Sequence, residues 1–323
     1  MENMSSSLHT PGLSPNPNSK QVRDRDRVRV FLYSIADYVA NRVIAGDVSK
    51  HSLNAAIQHY KYGAETQRRL CSDPSDVPVS CLTAVIRFTG LEYRRPGRHD
   101  IILTKVIDYM FLKTALASAT DFIIPAKTEF CMDMPETGGI ICGKPDLLIY
   151  DLKGKTVHIV EQKTAPTFDD YSLFVRRAAI QLAMYSWLFN EYYGRGIDWL
   201  KAYIVTIYYH TSVNLQARTE VIPLFIHVSN NIRDLMIDAY NALINKEVIT
   251  IDECRLAKLI YGEYADCGDG GTVLISAPKK KIEANWKANT LFFKKWRRVK
   301  RGGSTPSNEV TAKDGVSTGA ARQ

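Results

Sequence analysis

Residues 143–165 read GKPDLLIYDLKGKTVHIVEQKTA, two runs of Val, Ile and Leu on either side of a Lys-Gly turn. Apolar runs of this length around a turn signal read as a β-hairpin. The centre of the turn then sets every pairing across it. With strands over 140–150 and 156–163 and a two-residue loop at Lys153-Gly154, Asp146 stands directly opposite Glu161. Facing side chains in an antiparallel pair have Cβ atoms about 4.5–5.5 Å apart. Lys163, two residues beyond Glu161, projects from the same face. The hairpin therefore collects two carboxylates and one ammonium on a single patch. Gly143 and Pro145 mark the place where a bulge would shift the register by one residue.

Two adjacent carboxylates stay ionised only with positive charge between them. Their hard oxygen atoms suit Mg²⁺ or Mn²⁺. Such a cation activates water and neutralises charge on a phosphoryl group, and a neighbouring lysine can orient or deprotonate that water. The plain alternative is an exposed hairpin carrying an Asp146–Lys163 or Glu161–Lys163 ion pair. Apolar residues dominate both faces of these strands, which argues against it, because an unpaired buried charge is expensive.

The surrounding pattern is α/β. Residues 100–118 read as a helix, 122–132 as a strand broken by Pro125, and 140–150 and 156–163 as the hairpin. A long helix over 170–193 follows, then strands over 200–210 and 219–228 and a helix over 230–246. This order is a helix, a three-stranded antiparallel meander, a helical crossover and a further strand, which makes one α/β sheet. Upstream, Leu32, Ile35, Tyr38, Val39, Leu53, Ile57 and Tyr60 recur at helical spacing. They predict a helical N-terminal region over 23–95, with 72–80 as a loop and 96–99 as a turn. The core then spans 96–250 and a basic, aromatic region 251–301. The compositions of 1–22 and 302–323 are those of disordered tails.

The six cysteines stand at scattered spacings without C-x-x-C. That predicts reduced thiols in an intracellular protein. No apolar run approaches the roughly 20 residues that span a bilayer, and the N-terminus lacks the apolar centre of a secretory signal. No membrane partner is expected.

Pro145-Asp146 followed by Glu161-Gln162-Lys163 resembles the PD-(D/E)xK nuclease superfamily, whose fold is restriction-endonuclease-like. The helix RRAAIQLAMYSWLF adds Gln181 and Tyr185, which resemble the Q-x-x-x-Y signature of its RecB-like exonuclease branch. Spaced i and i+4, the two share one helix face. The resemblance covers about residues 99–210. It implies Asp146, Glu161 and the carbonyl of Gln162 as metal ligands, Lys163 as the residue that positions water, and Glu129 as a further acid before the PD motif. His99 matches an additional metal ligand of that branch, with His59 as its rival. Gln181 and Tyr185 would hold the DNA strand. Arg176 and Arg177, one turn earlier, read equally as phosphate contacts or as a solvated helix face. Some RecB-like nucleases carry an iron–sulfur cluster, but the closely spaced cysteine trio that it needs is missing here. No GxxxxGK[ST] is present either, so a helicase or recombination partner would be a separate chain.

The net charge of +8 is concentrated in residues 279–301, which carry ten Lys/Arg against one acid, Glu283. A local basic block points to a polyanion. Trp286, Phe292, Phe293 and Trp296 interleave with Lys294, Lys295, Arg297 and Arg298. Aromatic residues stack on bases while cations bind phosphates, the usual combination for single strands. An amphipathic helix docked on the core is the competing reading, and the clusters also resemble nuclear-localisation signals. Together these features predict a Mg²⁺- or Mn²⁺-dependent deoxyribonuclease, an exonuclease of DNA replication, recombination or repair. Its alternatives are an RNA endonuclease of the same superfamily and a non-cutting nucleic-acid-binding protein.

Overall fold

The computed structural model describes residues 26–58, 61, 71–72, 75–91, 98–165, 168–194, 196–210, 216–268 and 273–275. The basic segment 279–301 with Lys294, Lys295, Trp296, Arg297 and Arg298, the two tails and His59 lie outside the described residues. The fold is mixed α/β. In chain order its main elements are α1 (Arg27–Ile44), β1 (Asp76–Pro78), α2 (Val79–Ala84), β2 (Ile86–Phe88), α3 (Arg98–Ala117), β3 (Ile123–Ala126), β4 (Phe130–Met134), β5 (Gly139–Gly143), β6 (Leu147–Asp151), β7 (Thr156–Ala165), α4 (Phe168–Tyr193), β8 (Trp199–His210), β9 (Gln216–His227), α5 (Asn230–Asn245), β10 (Ile249–Ile251), α6 (Glu253–Tyr261), β11 (Ala265–Cys267) and β12 (Val273–Ile275). Residues 50–58 are also helical. No helix among the described residues is long and apolar enough to cross a membrane.

The central sheet has the order β3-β6-β7-β8-β9. Strands β3, β6 and β7 are antiparallel neighbours, β8 runs parallel to β7 after the α4 crossover, and β9 returns antiparallel. A parallel pair needs such a crossover, whereas antiparallel neighbours need only a turn. One face of the sheet packs Leu148, Ile159, Ala202 and Ile204 against α4, α5 and α6. The other packs Leu147, Ile149, Val160, Tyr203 and Val205 against α1 and α3. The alternation of side chains along each strand sends neighbouring residues into these two separate cores.

Two of the expected strands are in fact four. The runs 122–132 and 140–150 form one long pairing that changes sheet half-way. Strands β3 and β6 pair in the central sheet, while β4 and β5 pair in a small sheet of order β1-β5-β4. Between the pairs Ala126–Leu148 and Phe130–Gly143, three residues (127–129) face four (144–147). This extra residue lies at Lys144-Pro145-Asp146, where proline removes a ladder donor and the strand bends. The β6–β7 register is untouched, with Leu147 opposite Val160 and Asp151 opposite Thr156. Pro125 sits on the edge strand β3, a position that tolerates a missing N–H.

The Lys-Gly turn is a four-residue loop, 152–155, centred where the two-residue loop was expected. Asp151 Oδ1 accepts hydrogen bonds from the N–H groups of Lys153 and Gly154, at 3.1 and 2.8 Å. A side chain on Gly154 would place its Cβ 2.5 Å from Asp151 Oδ2, so glycine is required there.

Upstream, the segment 72–80 is not a simple loop. It carries β1, which pairs parallel with β5, and the start of α2; β2 pairs parallel with β10. Helix α1 begins inside the charged stretch, with Asp26 as its N-cap accepting from the N–H of Arg29. Helix α3 begins at Arg98, inside the expected turn. The cysteines also differ from expectation, standing as three disulfides: Cys71–Cys81, Cys131–Cys142 and Cys254–Cys267. Their separations of 10, 11 and 13 residues fit no short motif. It is tertiary pairing that brings them together, most plainly Cys131 and Cys142, which are direct cross-strand partners on β4 and β5.

Candidate functional site

The bend before β6 leaves Asp146 just outside the ladder. Its backbone makes no pair with Glu161. Instead its carboxylate Oδ2 takes the backbone N–H of Gln162 at 2.7 Å. One residue along, Glu161 projects from β7 toward α4 and is 4% exposed. Lys163 shares that face and its Nζ donates to Glu161 Oε1 at 2.5 Å. The other carboxylate oxygen, Glu161 Oε2, is buried and has no hydrogen-bond partner. A buried acceptor left in this state costs about 1–3 kcal/mol, more for a charge.

The electrostatics follow from this crowding. Burial, then the neighbouring Asp146 charge, pushes the Glu161 carboxyl up to about 7 despite the attraction of Lys163. Burial likewise raises Asp146, against the pull of Lys163 and the Gln162 N–H. Burial alone would lower Lys163, but the charges of Glu161 and Asp146 outweigh it and hold the ammonium above its ordinary range. Two ionised carboxylates would exceed the charge that a single lysine balances; a proton on Glu161 or a bound cation removes the excess.

Helix α4 closes the site from one side. Tyr185 is 3% exposed and Gln181 7%. Their side chains are hydrogen-bonded to each other. Burial, then the charges of Glu161 and Asp146, holds the Tyr185 phenol well above 10, so it remains a proton donor beside the acids. The structure thus brings together Asp146, Glu161, Gln162, Lys163, Gln181 and Tyr185.

Other candidate residues stand apart. Glu129, just before β4, is an exposed residue that forms an ion pair with Lys144 at 3.1 Å. Arg176 is ion-paired with Glu253 at the start of α6, so its guanidinium ties two helices together. Arg177 is half-buried on the same helix. His99 lies in the first turn of α3, and its side chain is outside the described ones.

Sequence reading missed Asp108. It stands on α3, where its Oδ1 accepts from the Thr164 hydroxyl at 2.7 Å. Thr164 Oγ1 in turn accepts from Gln162 Nε2 at 2.6 Å. The chain Asp108–Thr164–Gln162 fixes, from the far side of the sheet, the residue whose N–H holds Asp146. The Asp108 charge also reaches both Asp146 and Lys163. Only the E-Q-K-T sequence pattern hinted at it, since alternate residues of the motif had to meet something on the opposite face.

No protein-family model matches the chain, and no curated protein matches it significantly.

Proposed function

We propose that the chain is a metal-dependent nuclease that hydrolyses phosphodiester bonds in DNA, as an exonuclease of replication, recombination or repair. The observation that carries this reading is the buried, unpartnered Glu161 Oε2 beside Asp146 and Lys163. An ion-paired structural hairpin would satisfy that oxygen. The order of α3, the meander β3–β6–β7, the α4 crossover and the parallel strand β8 supports a restriction-endonuclease-like core of the PD-(D/E)xK kind.

Asp146 and Glu161, with the backbone carbonyl of Gln162, would hold Mg²⁺ or Mn²⁺. When bound, such a cation supplies Lewis-acid activation of water and charge neutralisation at phosphorus. The residues of the chain do the rest. The Gln162 N–H fixes one oxygen of Asp146, so its carboxylate is preorganised. Lys163, whose Nζ stands 2.5 Å from Glu161 Oε1, would orient the attacking water beside the metal. Tyr185 and Gln181, bonded to each other and buried, would exclude water from the side of the acids that α4 covers. Arg177 and the basic segment 279–301 would supply salt-sensitive affinity for the phosphate backbone. A separate helicase or recombination protein would deliver the DNA, inside the cell and in the nucleus of a eukaryotic host.

The test is an incubation of purified protein with end-labelled single- and double-stranded DNA and with RNA, in Mg²⁺, Mn²⁺ or EDTA, alongside Asp146→Ala. DNA cleavage that needs the metal and vanishes in the variant is expected. Cleavage that survives EDTA or Asp146→Ala overturns the mechanism. Preference for RNA overturns the substrate, and binding without cleavage in every metal overturns the activity.

A further inference from the structure

A second set of metal-type ligand atoms lies on the small sheet. Strand β1 pairs with β5 so that Asp76 stands beside Ile140 and Pro78 beside Cys142, and β4 pairs with β5 so that Cys131 faces Cys142. The Asp76 carboxylate and the two sulfurs all lie within 4.8 Å of one another. Asp76 Oδ1 is 3.0 Å from Cys142 Sγ. We propose that the reduced chain binds a thiophilic divalent cation, Zn²⁺ being the type, through Cys131, Cys142 and Asp76, and that the Cys131–Cys142 disulfide closes this site.

The Asp76–Cys142 contact carries the argument. A disulfide sulfur has no proton to donate, so in the oxidised chain a carboxylate oxygen and a sulfur meet at 3.0 Å with nothing between them. A thiol would donate to that oxygen. A thiolate so close to a carboxylate requires a cation. Two thiolates and one carboxylate are a donor set for Zn²⁺, not for Mg²⁺, because soft sulfur selects soft metals. This separates the site in chemistry from the all-oxygen group at Asp146 and Glu161. Zn–S bonds of about 2.3 Å and Zn–O bonds of about 2.0–2.2 Å put donors of one tetrahedral ion about 3.5–3.8 Å apart. In the oxidised chain the two sulfurs are covalently bonded and Asp76 Oδ1 is 3.0 Å from Cys142 Sγ, so breaking the S–S bond is what lets the donors separate to that range. Water takes the fourth position.

The redox step balances with a thiol reductant. Two thiols break the S–S bond, each cysteine sulfur takes one proton, and the reductant leaves as its own disulfide. The incoming Zn²⁺ then displaces both thiol protons. The bound cation would tie β1 to the β4–β5 hairpin, whose outgoing strand leads through Lys144 and Pro145 into Asp146.

The test uses the full chain, reduced with excess thiol and desalted without oxygen, and titrated with Co²⁺ as the probe. Thiolate-to-cobalt charge-transfer absorption saturating near one equivalent, and bleached by Zn²⁺, is expected. It should be absent from the oxidised chain and from Cys142→Ser, and unchanged in the double variant Cys254→Ser/Cys267→Ser. Asp76→Asn should bind at least about tenfold more weakly. Absence of the band from the reduced wild type, its survival in Cys142→Ser, or unchanged affinity in Asp76→Asn overturns the proposal. The oxidised-against-reduced comparison needs no substitution, so a variant that fails to fold leaves the test intact.

Discussion

Two polar groups are buried against the same central strands, on opposite faces, and they are built in opposite ways. On the α1 face, Asp26 accepts from the Arg29 N–H at 3.1 Å, from Tyr203 Oη at 2.6 Å and from Lys201 Nζ. Burial alone would raise its carboxyl, but these donors hold it below the usual range. Beside it, His158 shares a 2.8 Å hydrogen bond with Thr156 and packs edge-on to Tyr203. On the α4 face, Asp146 and Glu161 share one lysine, both carboxyls are raised, and one oxygen has no partner. The first group saturates its acid and so fastens α1 to the sheet. The second leaves its acids under-compensated, a state that persists in folded proteins where a ligand completes it. The contrast separates a structural ion cluster from a candidate site better than the count of charges does.

The comparison can be broken at several points, the largest effect first. Lys163→Ala should lower DNA cleavage by about 10²–10⁴-fold, as removal of a residue acting on the water does, whereas Lys201→Ala should leave the rate per folded molecule unchanged. Equal losses in initial-rate assays at fixed salt would erase the distinction.

Next comes acid sensitivity. Burial, then the Lys201 charge, lowers His158 to about 4, with Asp26 and Asp151 pulling the other way. The unfolded chain takes up that proton near 6.5. The contribution of the neutral ring is therefore complete above pH 6.5 and is lost as pH falls toward 4, up to about 3 kcal/mol. Urea unfolding from pH 7 to pH 4 should show this slope, flattened in His158→Gln.

The two acids should then give opposite signs. Asp26→Asn leaves Lys201 without its carboxylate and should cost about 2 kcal/mol at pH 7, a value discounted for partial exposure. Glu161 has a raised folded value, so the folded chain holds an extra proton between about pH 4.5 and 7, and stability is lost as pH rises through that window. Glu161→Gln should therefore stabilise the metal-free chain above pH 7, by about 1–3 kcal/mol, and should abolish stabilisation by added Mn²⁺. Thermal melts at pH 8, with and without metal, read both. The smallest effect is expected for Thr164→Val, which cuts the Asp108–Thr164–Gln162 chain. It should cost about 1 kcal/mol of stability and lower cleavage only several-fold.

Much of this was legible in advance because it is local. The 3.6- and 2-residue periodicities marked α3, β7, α4, β8, β9 and α5 within a few residues of their bounds. The Asp151–Gly154 turn fixed the register that sets Leu147 opposite Val160, next to Asp146 and Glu161. A turn's centre and a strand's alternation are properties of adjacent residues, and so the Glu161–Lys163 pairing could be read from spacing. What adjacent residues cannot show was decided by the tertiary structure. The split of one hairpin between two sheets depends on where β1 and β7 pair, β1 with β5 and β7 with β6. The cysteine pairs depend on which strands become neighbours. Asp108 reaches the site only because α3 crosses the sheet beneath Thr164. The unpartnered Glu161 oxygen likewise depends on what α4 presents to it, since satisfaction of a buried acceptor is a property of every chain segment around it and not of the motif that supplies it.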